Sequence, residues 1–362
     1  MRALFVLPGL HRVPRGAEVA FESIAHELAL RGPAVTAIGS GQPLDGRAYH
    51  FLHASVRPRE NFERFPRLPP VLRNEYVYEE ITFIPNLLRV YDPADYDVTI
   101  TCSYPYTNWA LRMRGGRDRP RHVYVTQNGD WPSIAGHREY RFFGCDGLVC
   151  TNPDFFERNA ERRRCALIPN GVDPARFHPG EGDRARFELP VDRQVVLMVS
   201  ALATNKRVLD GIRAVAELPD LFLAVAGDGP LRDQTRQLAE ELLPGRFAQF
   251  TVPTAEMPEL YRSADVFLHM TEFESFGNVY IEAQASGLPV VAHDSGATRW
   301  IFGDSATLLN TQQKGDVVDG LKQALNTAEH VRHDASDACV ERFAWSRIAA
   351  QYHEFLEEVL AV

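Results

Sequence analysis

The sequence predicts an α/β protein of two doubly wound parallel-sheet domains. Three observations carry that expectation. Short apolar runs alternate with helical patterns from end to end, the mark of parallel strands joined through helices. A turn-rich stretch, Ile168-Pro169-Asn170-Gly171-Val172-Asp173, interrupts the alternation near the middle, and a second series begins at residue 195. The 362 residues, 45% of them hydrophobic, are long for one core and comfortable for two. The expected domains are residues 1–172 and 173–345, with a closing helix over about 346–362.

The elements follow in order. Residues 4–7 read as a buried strand. A helix over 18–30 places Phe21, Ile24, Ala25 and Leu28 on one face at spacings of three and four. Gly32-Pro33 ends it, and 34–38 is the second strand. Residues 49–92, rich in aromatics, arginine and proline, break the rhythm; 57–67 has no clean period. Strands are expected again over 98–102, 123–126, 147–151 and 165–168. A polar linker, 174–193, precedes strands over 195–199, 221–226, 247–252, 266–270 and 289–292, and an amphipathic helix over about 345–360 closes the chain.

Composition narrows the function. The formal net charge of −9 argues against a general nucleic-acid binder. Cys102, Cys145, Cys150, Cys165 and Cys339 form no CxxC pair, so a disulfide framework or structural zinc is not expected. Residues 1–8 read as a first strand rather than a signal peptide, and no run is long and apolar enough to span a bilayer, so the expected location is the cytoplasm.

Open α/β sheets bind ligands beyond the carboxyl ends of their strands, and paired sheets in the cleft between them. Several loops suit that use. Arg15-Gly16-Ala17-Glu18 lies between the first strand and helix; Gly16 would let backbone approach a phosphate, and a plain tight turn fits equally well. Ala226-Gly227-Asp228-Gly229-Pro230-Leu231 follows a strand, where a lone Gly-x-Gly is often only a turn. Lys206, followed by Arg207, stands just before the helix 208–218, where a lysine opposes the helix dipole; a bound anion explains it better than usual, and a solvated surface lysine also fits.

The richest stretch is Thr271-Glu272-Phe273-Glu274-Ser275-Phe276-Gly277-Asn278-Val279-Tyr280-Ile281-Glu282. A helix beginning at Ser275 or Gly277 leaves Glu274 in the loop ahead of it and sets Asn278 and Glu282 on one face. Main-chain N–H groups there suit phosphate, and carboxylates suit sugar hydroxyls. Taken alone, the same spacing also fits a capping Glu274 and an ordinary surface Glu282.

These motifs resemble glycosyltransferase family 4, the retaining enzymes of the GT-B fold. The Glu-x7-Glu motif stands as Glu274 to Glu282, followed by Ser286-Gly287-Leu288-Pro289-Val290-Val291-Ala292. Gly227-Asp228-Gly229-Pro230-Leu231, Leu260-Tyr261-Arg262-Ser263-Ala264-Asp265-Val266-Phe267, the Ile168–Asp173 turn and Arg15-Gly16-Ala17-Glu18 match in order along nearly the whole chain.

The resemblance implies two Rossmann-like domains facing a central cleft, the first for the acceptor and the second for a nucleotide-sugar donor, with the closing helix packed back on the first. It implies transfer of a sugar to a hydroxyl acceptor with no metal or other cofactor. Glu274 would bind donor-sugar hydroxyls and Glu282 the ribose. Main-chain groups of Ser275, Phe276, Gly277, Asn278 and Val279 would hold sugar and phosphate oxygens. Lys206 would neutralise the leaving diphosphate, with Gly16 and Gly227 shaping phosphate-facing loops.

Two departures stand out. The family's arginine before the lysine is absent, because the stretch reads Ser200-Ala201-Leu202; Arg207 is the substitute at hand. Where the family often has a histidine near the donor sugar, this chain has Thr126-Gln127-Asn128-Gly129-Asp130, so Gln127, Asn128 or Asp130 would contact sugar or acceptor. The departures leave a non-catalytic nucleotide-sugar-binding homologue, or a regulatory partner of another transferase, as the second reading. A nicotinamide-dependent dehydrogenase is disfavoured by the lack of GxGxxG after either domain's first strand. Asp95-Tyr96-Asp97 lacks the surroundings of a metal-holding Asp-x-Asp and reads as a turn. The aromatics and arginines of 49–92 fit an acceptor pocket, a peripheral contact at the inner membrane face, or packing under a long loop.

Overall fold

A computed structural model describes residues 1–59, 62, 75–134 and 142–361. Of the unpatterned stretch 57–67, residues 60, 61 and 63–67 lie outside the described residues. The chain forms two compact units: Met1–Asn170 together with Trp345–Val362, and Gly171–Ala344.

The first unit is built on a seven-stranded sheet, ordered β3-β2-β1-β4-β5-β6-β7. Its strands are β1 (Arg2–Val6), β2 (Ala34–Gly39), β3 (His50–His53), β4 (Val98–Thr101), β5 (Arg121–Val125), β6 (Gly147–Cys150) and β7 (Cys165–Leu167). Every pairing is parallel. Both faces are covered, which is why these strands read as unbroken apolar runs rather than alternating ones. Ala3 and Phe5 point into one core with Phe21, Ile24 and Leu28 of the helix Gly16–Leu30. Leu4 and Val6 point into the other, with Phe83 and Leu87 of the helix Glu75–Val90.

The last helix, Trp345–Leu360, belongs to the first of these cores. Its Trp345, Ile348, Tyr352, Phe355, Leu356 and Val359 recur at helical spacing and are buried against the Gly16–Leu30 helix and the sheet. Burying such side chains stabilises by roughly 1.5–3 kcal/mol each. Gly147 permits the close fit, since a Cβ there would lie 2.7 Å from Val359 Cγ2 and 3.1 Å from Phe355 Cζ.

Sequence periodicity did not reveal β3 or the helix Glu75–Val90. That helix carries Pro85 in its interior and buries Glu79 and Glu80 on the face where apolar residues are sought. The Asp95-Tyr96-Asp97 stretch is a turn: Pro93–Asp95 is one 3-10 turn, and the Asp97 carboxylate accepts from the Arg2 main-chain N–H at 2.7 Å and from its guanidinium.

The second unit carries a six-stranded parallel sheet, ordered β10-β9-β8-β11-β12-β13. Its strands are β8 (Gln194–Val199), β9 (Leu221–Ala226), β10 (Phe247–Phe250), β11 (Val266–His269), β12 (Val290–His293) and β13 (Thr307–Leu309). Alternate residues again feed two cores: Val195 and Leu197 one, Val196 and Met198 the other. The chain runs outward from β8 through β9 to β10, then returns to place β11 on the other side of β8. That reversal leaves a crevice beyond the carboxyl ends of β8 and β11. No helix among the described residues is long and apolar enough to cross a membrane.

Candidate active site

The loops at the β8/β11 reversal bring together the residues singled out by sequence. After β8 the chain makes the 3-10 turn Thr204–Lys206, and Arg207 follows in the left-handed region at φ 53°, opening the helix Val208–Val215. After β11 a loop carries Glu272 to Gly277 into the helix Asn278–Ala285. Gly277 takes φ 85°, a conformation that disfavours any side chain, and a Cβ there would lie 2.6 Å from Tyr280 Cδ2. With glycine at its N-cap the helix start has no side-chain cap. The N–H of Tyr280 is taken by the Gly277 carbonyl at 2.9 Å, and those of Asn278 and Val279 lie at the positive end of the helix dipole, which favours an anion.

Lys206 Nζ donates to Glu274 Oε1 across this crevice. The same oxygen meets His269 Nε2 at 3.1 Å. Among the described residues none bonds Oε2 of Glu274. Burial pushes this carboxyl upward, but the His269 hydrogen bond and charge, followed by Lys206, outweigh it and hold the group at about 2. Glu274 is therefore an anion at any physiological pH, with one oxygen gripped and the other open. Glu282, one helical turn beyond Asn278, sits half-buried and accepts the Tyr261 hydroxyl at 3.0 Å. Burial raises its carboxyl, against the Tyr261 bond and the charge of Arg176.

Other expected residues are placed differently. Arg207 does not stand beside Lys206. Its guanidinium donates to Glu272 at 2.8 Å, Asp210 at 3.0 Å and Thr311 Oγ1 and O at 3.1 Å, tying the turn to the ends of the neighbouring strands. A left-handed residue after the turn sends adjacent side chains apart. Phe276 is buried among Trp300 and Phe343, and Val279 packs on the same core, so only their main chain faces the crevice. Gly227 is required by packing: a Cβ would fall 1.9 Å from Ser200 O. The loop it opens is held by Leu202 N donating to Asp228 O at 2.9 Å.

In the first unit, Gly16 begins the helix Gly16–Leu30. Gln127 and Asn170 exchange amide bonds at 2.5 and 2.9 Å. Asn128 is exposed, and its carbonyl accepts Trp131 Nε1 at 3.0 Å. Asp130, expected toward a sugar or acceptor, is instead buried and engaged. Arg158 donates to both its oxygens at 2.9 and 3.0 Å, and Asn159 adds a third bond at 3.1 Å. A buried carboxylate needs such donors, and these three occupy most of its acceptor sites. Sequence reasoning missed His269 and Tyr261. His269 ends an apolar strand, and only its polarity at that final position signalled a site.

The two parallel-sheet, Rossmann-like units are those of the GT-B glycosyltransferase fold. Solved structures share the fold. Sucrose-phosphate synthase from Thermosynechococcus elongatus gives a TM-score of 0.80 at 18% identity, covering 99% of each chain. Anabaena Alr3699/HepE in complex with UDP-glucose gives 0.75 at 17% identity, covering 99% of this chain and 100% of that one.

The chain belongs to glycosyltransferase family 4. The family model described as Glycosyltransferase Family 4 matches residues 14–176, and that described as Glycosyl transferases group 1 matches 181–339. The lipopolysaccharide core biosynthesis glycosyltransferase LpsE of Rhizobium meliloti (strain 1021) is 27% identical over 235 residues, 64% of this chain and 64% of that protein. Among the curated relatives the aligned part spans from 45% to 75% of their own length.

Proposed function

We propose that the protein transfers a sugar from a nucleotide-diphosphate donor to a hydroxyl acceptor, with retention at the anomeric carbon and without a metal ion. The observation that carries this reading is Glu274, held ionised through Oε1 by Lys206 and His269 at the start of the helix Asn278–Ala285. Breaking the anomeric C–O bond leaves an oxocarbenium-like sugar and puts the electron pair on the departing phosphate. Lys206 and the N–H groups around Asn278 and Val279 supply preorganised positive charge for that group. Glu274 Oε2 accepts from sugar hydroxyls, and Glu282 from those of the ribose. The acceptor oxygen bonds to the anomeric carbon on the face the phosphate leaves, and its proton passes to a phosphate oxygen. The UDP-glucose held by the Anabaena protein makes UDP-sugars the first donors to try.

The test is a panel of nucleotide sugars, read first by thermal shift and then by slow donor hydrolysis, with and without excess EDTA. A bound donor raises apparent stability by mass action. One donor is expected to bind and to be hydrolysed at equal rates with and without EDTA. Loss of turnover in EDTA would remove the metal-free step. A second reading, a nucleotide-sugar-binding homologue without turnover, is favoured by Ala201 standing where the family has arginine and by Arg207 being engaged elsewhere. Binding without hydrolysis or transfer would decide for it.

A further inference from the structure

We infer that His269 is the positioning residue for Glu274: it holds Oε1 from the carboxyl end of β11 so that Oε2 stays aimed at donor hydroxyls when Lys206 turns to the diphosphate. The inference rests on the donor-site reading above. Lys206 and His269 meet the same oxygen of Glu274, Nζ from the β8 side and Nε2 from β11 at 3.1 Å. Their mobility differs. Lys206 carries a compact charge on a four-carbon stem and can swing. His269 is 2% exposed and fixed by aromatic rings: Phe267 lies parallel to it at 6.0 Å, and Tyr280 stands edge-on at 4.9 Å.

An ionised carboxylate only accepts, so the imidazole nitrogen facing it is the one that carries the proton. Once the ammonium serves the phosphates, this N–H is the donor left on Oε1. Without it a mostly buried carboxylate would lose both its aim and its reason to stay charged. The groups facing His269 are Glu274 from the loop, Lys206 behind it from the 3-10 turn, and Tyr280 from the helix Asn278–Ala285.

The experiment compares two ligands on the intact chain by titration calorimetry. One is UDP or GDP, whichever the wild type binds; the other is the matching sugar nucleotide, UDP-glucose or GDP-mannose. In His269→Leu the diphosphate affinity is expected to stay within about twofold, because Lys206 and the helix start are untouched. Sugar-nucleotide affinity and kcat/KM are expected to fall roughly 10- to 100-fold, the range of one lost hydrogen bond to a charged group. His269→Gln, whose amide N–H reaches the same oxygen, should recover most of that loss. If the leucine variant does not fold, His269→Asn replaces it, its amide being too short to reach. An equal loss for both ligands, no loss for either, or no recovery in His269→Gln would overturn the inference. A wild type that binds neither ligand would instead remove the donor site, and the inference with it.

Discussion

The two units place a glutamate at the start of the helix following the strand beside their first strand, and use it in opposite ways. In the first unit, Glu80 reaches from its own helix to the start of the helix Tyr106–Met113, accepting the N–H of Tyr106 at 2.8 Å and of Thr107 at 3.4 Å. That helix start is closed from within. In the second unit Glu274 is drawn aside by Lys206 and His269, and the start of Asn278–Ala285 keeps no side-chain cap. Burial acts on both carboxyls. It pushes Glu80 up to about 7 because neutral N–H and hydroxyl donors only partly offset it, whereas His269 and Lys206 hold Glu274 at about 2. The difference teaches what sets the charge of a buried acid beside a helix start: neutral main-chain and hydroxyl donors leave it able to take a proton, whereas an ammonium and an imidazole N–H on one oxygen keep it ionised.

Three variants test that contrast, in falling order of effect. Glu274→Gln removes the anion and one acceptor oxygen while keeping the shape. Turnover should drop on the order of 10²-fold or more with the fold intact by circular dichroism; near wild-type turnover would place the donor elsewhere. Glu80→Gln should act on stability instead. The folded value of Glu80 lies above the ordinary 4.5, so its contribution is complete below about pH 4.5 and is lost as pH rises through about 7. The wild type should lose on the order of 2–3 kcal/mol across that window, and the glutamine variant should stay flat when urea melts are compared at pH 4.5 and 8. A parallel pH dependence in both proteins would show that Glu80 is not the group titrating. For Glu274 the sign reverses: its share is present above about 4.5 and fades as pH falls through about 2. The smallest effect is expected for Tyr261→Phe, which strips the hydroxyl from Glu282. Nucleotide binding should weaken by about 1 kcal/mol in calorimetry, and a change confined to the sugar would contradict the ribose assignment.

Much of this architecture was readable because parallel strands buried on both faces are plain apolar runs. Leu221–Ala226 matches its expected bounds, and Trp345–Leu360 falls where a closing helix over about 345–360 is expected. Boundaries slipped by one or two residues where a strand ends in polar chain, as at Gln194 and His269. The helix Glu75–Val90 was hidden because its inward face spends Glu79 and Glu80 on Arg12, Arg15 and a helix start instead of on apolar neighbours. At the site, spacing along one helix identified Glu274 and Glu282. It gave no hint that the Lys206 ammonium would lie on Glu274, or that Asp130 would turn inward to Arg158, because those contacts join segments tens of residues apart. Side-chain direction is set by long-range packing, and residue type alone does not carry it.

The return of the last helix to the first unit fixes an order of events during synthesis. The stretch Gly171–Ala344 is an insertion in a unit that opens at Met1 and closes after Trp345. At about 5–20 residues per second a ribosome takes roughly 9–35 s to make that insertion. Throughout, the face of the first sheet that awaits Tyr352, Phe355 and Val359 is covered only in part, by the helix Gly16–Leu30. The second unit can fold as soon as it emerges, while the older half of the chain must wait for its newest residues, so a prematurely ended transcript would release a protein with half its scaffold sealed and half exposed.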